Sequence, residues 1–374
     1  MFGFVPRPIA EMPWQIICIT LGIAGFGVVV LYSAAGGSLS PWAGTHAIRF
    51  SVFLIMALVI RLFNEDFIKL WTYPGYIVVA VLLLLVELVG AVKGGSQRWI
   101  DLGFIRLQPS EVMKPLVVLA LARFYELLPI GQARNWRAVW PPLVIMGIPF
   151  ALVMTQPDLG TSIAIVTGGV TVMFLAGVPL RLFIGAGLAG AAFVPVAYFF
   201  LLKEYQQNRV LTFLDPESDP LGTGYHISQS KIAIGSGGIS GKGYLQGSQN
   251  QLEYLPEGHT DFVFATMAEE WGLIGGLVVI GLFALLLRWA TFVSLNAPGR
   301  FGKLAGGGLT MVIFFYIAIN LLMVTGLAPV VGIPLPFLSY GGSSMMTIMI
   351  CIGLLMGIAH NTRQSSGSGG RVID

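Results

Sequence analysis

The sequence predicts an all-α integral membrane protein with about ten transmembrane helices, both termini cytoplasmic, and one long extracytoplasmic loop between helices 7 and 8. Three observations carry that prediction. Of the 374 residues, 55% are hydrophobic and only 10% are charged, whereas a soluble domain carries about 25% charged residues. Apolar runs of about 20 residues recur from end to end, each long enough to cross a hydrocarbon core about 30 Å thick. Most of these runs are apolar all round rather than striped, which suits a helix surrounded by lipid and other helices.

The first span is placed at Trp14–Tyr32. Arg7 precedes it and Ser33-Ala34-Ala35 follows it, an arrangement that faintly resembles a cleaved leader. The apolar stretch exceeds the 7–15 residues usual for a signal peptide, so it reads as a retained helix. The next spans are Ala43–Leu62, Tyr73–Val92, Ser110–Leu128, Ala138–Thr155, Leu159–Gly177 and Arg181–Leu202. The last three are Asp261–Ala290, Leu304–Leu327 and Phe337–His360. Gly and Pro fall mostly at the junctions, and Gly also enters several spans, as membrane helices allow. No repeat of fixed period and no internal duplication of the inverted-repeat kind is visible.

Lys and Arg in the loops set the orientation. With a cytoplasmic amino terminus, 12 of them fall inside, and Arg49, Lys93, Arg98, Arg106 and Lys114 fall outside. Lys203, Arg209, Lys231 and Lys242 sit in a loop too long to count in this comparison. Residues 1–363 therefore read as one polytopic domain whose extracytoplasmic loop is 203–260, followed by a disordered cytoplasmic tail at 364–374, rich in Gly and Ser. The net charge of +3 is too small to suggest a nucleic-acid partner. Two cysteines, Cys18 and Cys351, both within spans, form neither a disulfide framework nor a metal cluster.

Ionisable groups at membrane depth cost about 2.5–3.5 kcal/mol each on insertion scales, so each needs a reason. In Pro256-Glu257-Gly258-His259-Thr260-Asp261, where the long loop enters the eighth span, Asp261 has two readings. One is a cap at a helix start; the other is a general base beside His259 at the membrane–water boundary. Glu269 and Glu270 lie further along that span, as structural glue or as proton handlers. Glu111 and Lys114 are i,i+3 neighbours, either a simple helix ion pair or the lining of a polar cavity. Arg98, beside Trp99, suggests an interfacial cation able to meet a lipid phosphate. Arg209, Lys231 and Lys242, with the glycines of 235–243, can hold phosphate oxygens or simply form turns. Asp158, after Pro157, can reach the same outer cavity, and Ser339 opens a run of small residues suited to close packing. These residues alone support an outward-facing polar site that could polymerise, transport or bind a lipid-linked anion.

Taken together, Gln108–Lys114, Gln156–Thr161, Asp215–Gly243, Leu252–Glu270 and Pro329–Ser344 resemble the SEDS family (shape, elongation, division and sporulation). The segments 215–222 and 229–235 are more similar to its elongation members than to its division members. The resemblance implies a ten-helix peptidoglycan glycosyltransferase in the bacterial plasma membrane, extending glycan strands from lipid II during cell elongation. It implies Asp261 as the essential loop aspartate and Glu111 with Lys114 as the paired groups of the fourth helix. It also implies a class B penicillin-binding protein as partner. Arg98, Arg209, Lys231 and Lys242 are candidates to neutralise the departing diphosphate, and a divalent cation (magnesium or manganese) could share that work. Two alternatives stand beside this reading: a lipid II flippase, for which Glu87, Glu269 and Glu270 would be the mid-span acids, and a non-catalytic scaffold that activates the partner.

Overall fold

A computed structural model describes residues 12–89, 91–93, 96–101, 106–129, 131–200, 207, 211–212, 215, 223–252, 254–255 and 257–368. Ten long helices each overlap one predicted span: α1 Trp14–Ala34, α2 Ala43–Ile60, α3 Glu65–Val89, α4 Pro109–Leu127, α5 Trp140–Thr155, α6 Leu159–Leu175 and α7 Leu180–Phe200. Two short helices, α8 Thr223–Ser236 and α9 Ser248–Gln251, lie in the long loop, and α10 Val263–Asn296, α11 Arg300–Val324 and α12 Gly342–Ser368 complete the chain. Among the described residues, eight helices are long and apolar enough to cross a membrane. The exceptions have physical causes. Helix α6 has only 17 residues, and α4 carries Glu111, Lys114, Arg123 and Glu126.

Three differences from the expectation follow. The chain is not helical throughout: β1 Ala91–Lys93, β2 Ser96–Asp101 and β3 Arg106–Leu107 form a small antiparallel sheet between α3 and α4. Backbone pairing there satisfies N–H and C=O groups that a bare loop would leave to water. Helix α12 runs to Ser368 instead of stopping at His360, taking in the first residues of the expected tail. Helix α10 begins at Val263, so Asp261 belongs to the turn before it.

Helix α4 sits centrally, packed against α3, α5, α6, α11 and α12. Helix α10 runs along α11 and also meets α1 and α8. Apolar side chains such as Ile48, Phe199 and Leu295 stay largely exposed, an outer face that lipid would cover. Helix α7 buries none of its most apolar stretch within the chain.

Helix α10 is broken at Gly272, whose backbone is non-helical (φ 62, ψ −159). A break at membrane depth must have its freed backbone groups satisfied by other protein, and residues 238–243 do this. The N–H groups of Lys242 and Gly243 donate to the carbonyls of Glu269 and Glu270 at 3.0 and 3.1 Å. Those of Leu273 and Ile274 donate to Gly238 and Ile239 at 2.9 and 3.2 Å. The approach is so close that a Cβ on Gly241 (φ 81) would overlap the Glu270 carbonyl. Gly241→Ala should therefore undock this loop, combining overlap with left-handed strain, and destabilise the protein by about 2–4 kcal/mol. The check is the unfolding midpoint in detergent against Gly281→Ala, whose added methyl meets nothing within 4 Å; equal midpoints would refute the docking argument.

Candidate active site at the entrance to α10

The turn before α10 is built by its own backbone. Glu257 adopts a left-handed conformation (φ 55), which lets its carbonyl accept from the N–H groups of Thr260 and Phe262 at 3.0 and 3.2 Å. Its carboxylate accepts from the Thr260 hydroxyl at 2.6 Å. Asp261 does not cap the helix: the cap position is Phe262, with no side-chain hydrogen bond. No described residue makes a hydrogen bond or ion pair to the Asp261 carboxylate, which is half-buried. Burial pushes its pKa up to about 6, and the neighbouring charge of Glu257 adds to the rise. That combination suits a proton acceptor near neutral pH.

Other helix ends meet this turn at one end of the bundle. Asn320 of α11 donates to the backbone carbonyls of Asp261 and Ile333 at 2.9 and 2.8 Å. A Cβ on Gly332 would lie 3.4 Å from the Asp261 carboxylate, so the segment after α11 runs beside it. Gly160, at the start of α6, packs against Val331 and Ile333 of the same segment. Asp158 caps α6 by accepting from the Thr161 N–H at 3.1 Å, and also accepts from the Gln108 amide at 3.1 Å. Gln108 leads directly into α4.

One turn along α11 from Asn320 is Tyr316, buried with Glu111 and Lys114. The Lys114 ammonium lies 2.7 Å from the Glu111 carboxylate. It also donates to the Tyr316 hydroxyl, which in turn donates to the other Glu111 oxygen. The pair expected from i,i+3 spacing is thus closed by a third group on another helix. Tyr316 and Asn320 were not anticipated. The available signal was two hydrogen-bonding side chains four residues apart in an otherwise apolar span, which places them on one face.

His259 stacks face to face on Trp42, with centroids 4.0 Å apart. Burial lowers its pKa, against a weaker pull from Glu257. Ser339 is occupied in a turn, its hydroxyl accepting from the Leu335 N–H at 2.8 Å. Lys242 is not a free phosphate ligand. Its ammonium pairs with buried Glu269 at 2.6 Å, and the space beside Gly241 is filled by the α10 backbone. Glu270 accepts from the Ser33 hydroxyl. Lys231 lies against Gly326, just past α11. Arg209 and the side chain of Arg98 lie outside the described residues. Among the described residues no three His, Cys, Asp or Glu side chains group to hold a metal ion.

Comparison with known proteins converges. The FtsW, RodA and SpoVE family model, described as "Cell cycle protein", matches residues 14–364. "Peptidoglycan glycosyltransferase MrdB" of Escherichia coli K12 is 43% identical over 363 residues, 94% of each chain. "Stage V sporulation protein E" of Bacillus subtilis is 35% identical over 93% of this chain and 97% of its own. A solved structure described as "Structural coordination of polymerization and crosslinking by a peptidoglycan synthase complex" superimposes with a TM-score of 0.81 at 32% identity, covering 94% of this chain and 98% of that one. The crystal structure of the Thermus thermophilus rod shape determining protein RodA gives a TM-score of 0.70 at 27% identity, covering 94% and 97%.

Proposed function

The chain belongs to the SEDS family of FtsW, RodA and SpoVE cell cycle proteins, and from that premise we propose that this peptidoglycan glycosyltransferase polymerises lipid II at the outer face of the bacterial plasma membrane during cell elongation. The observation that carries the mechanism is the Asp261 carboxylate, half-buried, unpaired among the described residues and raised to about 6. All ten long helices cross the membrane in this reading, with both termini inside. That orientation places the Asp261 turn, the Asn320 end of α11 and the start of α6 together on the outer side.

The donor sugar is α-linked to diphosphate and the product is β-linked, so one inverting displacement suffices. The acceptor 4-hydroxyl oxygen forms the new bond to the donor anomeric carbon. The old bond from that carbon to the phosphate oxygen breaks, and its electron pair leaves with the lipid diphosphate. Asp261 takes the hydroxyl proton from the side opposite the leaving group, the carboxylate logic of inverting glycosidases. Its raised pKa makes it a stronger base than an ordinary aspartate while leaving it mostly ionised at pH 7. Both substrates remain anchored by their lipids, which raises their effective concentration at the interface. Among the described residues no set of side chains would cage a divalent cation; one carried on the diphosphate would neutralise charge developing on the leaving group. The partner in this reading is a class B penicillin-binding protein that crosslinks the strands.

Reconstitution with purified lipid II, with and without that partner, tests the reading through glycan chains resolved on a gel. No polymer with partner and divalent cation present would refute it. The acid limb gives a second test. A base must be deprotonated, so turnover should rise with pH through about 6 rather than near 3.8, the ordinary carboxyl value. Burial is the larger cause of the rise and would remain in Glu257→Gln, which removes the neighbouring charge that adds to it and should move the limb part of the way to lower pH. A limb that stays fixed, or moves upward, would contradict the assignment.

A further inference from the structure

The start of α2 does more than open a span. Trp42, His46, Arg49 and Phe50 follow one another at offsets of four, seven and eight residues from the first, which places them on one face of the helix. That face meets two segments far apart in sequence. Trp42 stacks on His259 in the turn before α10. The other three meet the segment that leads into α12. Phe50 packs edge-on against the Phe337 ring at 5.8 Å, Arg49 lies over the Tyr340 ring at 4.8 Å, and His46 binds the Phe337 backbone.

His46 is fully buried, and its Nε2 nitrogen lies 2.9 Å from the Phe337 carbonyl oxygen. A carbonyl can only accept, so Nε2 carries the proton and donates it. The other ring nitrogen, Nδ1, is buried and has no hydrogen bond with any described residue. A core imidazole with one nitrogen unmet is less favourable than an apolar side chain of its size. What it adds over an apolar side chain is the single donor.

Phe337 is a backbone that needs such a donor. It is left-handed (φ 61), a conformation a bulky L residue keeps only where its surroundings over-determine it. Helix α1 presses on the same carbonyl: a Cβ on Gly27 would come within 2.6 Å of the Phe337 oxygen. Two residues on, the Ser339 N–H donates to the Leu335 carbonyl at 3.0 Å, and its hydroxyl accepts from the Leu335 N–H at 2.8 Å. Tyr340 then donates its N–H to the His259 carbonyl at 2.9 Å. His259 stands two residues before Asp261.

The same two segments are also joined through α11, where the Asn320 amide donates to the Asp261 and Ile333 carbonyls. No described residue makes a hydrogen bond to the Asp261 carboxylate. Its place is therefore set by backbone held from α11 and from α2.

We propose that His46 is a positioning residue for the reaction: its Nε2–H holds the Phe337 carbonyl and, through the 337–340 turn and the His259 carbonyl, sets where the Asp261 carboxylate stands. The inference rests on the polymerase reading for the reaction whose rate is measured, but not for the clamp itself.

The test combines hydrogen–deuterium exchange with steady-state polymerisation of lipid II, both on the full-length protein in detergent. His46→Leu fills the space and donates nothing. It should speed backbone exchange at least tenfold in 335–340 and 257–262, while α4 and α11 stay as protected as in the wild type. Its kcat should fall at least tenfold with KM little changed, since a displacement of about 1 Å at a reacting group can cost on the order of 10²-fold in rate. His46→Gln carries an amide N–H to about the place of Nε2, and should restore most of both kcat and protection. His46→Asn is one carbon shorter, does not reach the carbonyl, and should behave as His46→Leu. This pair of amides decides the question should His46→Leu fold poorly. Wild-type kcat and exchange in His46→Leu would overturn the proposal. Exchange that speeds throughout the bundle, or Gln and Asn variants that behave alike, would make His46 an ordinary core residue and overturn it too. A wild type that makes no polymer would sink the polymerase reading, and exchange would still decide for or against the clamp.

Discussion

Asp261→Asn is expected to abolish glycan polymerisation, by about 10²–10⁴-fold, while leaving the protein at least as stable as the wild type. The two halves of that expectation have separate causes. The turn holding Asp261 is fixed by backbone groups: the Glu257 carbonyl accepts two N–H bonds, and Asn320 binds the Asp261 carbonyl. The side chain caps nothing and pairs with nothing described, so its replacement by an isosteric amide removes no contact. The sign of the pH linkage agrees. A carboxyl whose pKa is raised in the folded state disfavours folding once pH exceeds its unfolded value, and most of all above about 6. The amide lifts that penalty, so the unfolding midpoint at pH 7.5 should not fall. A base, by contrast, has no substitute in an amide. Purified Asp261→Asn, matched to wild type in midpoint and in capture of the partner, should give no ladder on the gel. Polymer within tenfold of wild type would eliminate the general-base role, and unchanged function in cells would favour a scaffold.

The membrane architecture was legible because solvent dictates it. Runs such as 14–32 and 304–327 are too apolar and too long for a water-facing surface, and each became a helix with ends moved by a few residues. Asp261 was legible as a candidate because an acid at a span entrance is costly. Sequence alone could not choose between cap and base, since both place an acid at a helix start; the observed cap at Phe262 removes the first of these readings. The glycines of 235–243 were open to misreading for a similar reason. A Gly-rich turn serves phosphate or close backbone approach equally well, and the partner that decides it, the break at Gly272, lies about thirty residues away. Nothing local marks that break, because membrane helices tolerate glycine. The small sheet escaped because its strands are short and set among Gly and Lys that read as a polar loop. Tyr316 and Asn320 escaped because their partners, Glu111 and Asp261, are distant in sequence.

Lys114→Met should be the most destabilising of the single substitutions considered, and its rescue tells structure from function. Glu111, Lys114 and Tyr316 form a closed triad at 6%, 1% and 1% exposure. Removing the ammonium leaves a buried carboxylate with one neutral donor, a defect worth about 3–5 kcal/mol. Glu111→Leu combined with Lys114→Met replaces both charges with apolar groups of similar size, and should recover most of the lost stability. Activity should not follow. In the double variant the Tyr316 hydroxyl loses its acceptor, and α11 loses its hydrogen-bonded tie to α4. Asn320, one turn further on, then holds the Asp261 and Ile333 carbonyls from a less fixed helix. A displacement of about 1 Å at a reacting group can cost on the order of 10²-fold in rate, so the double variant should fold and polymerise at least tenfold more slowly. Full recovery of kcat alongside stability would reduce the triad to a packing device. Loss of both in the double variant would mean that the buried charges themselves specify the fold.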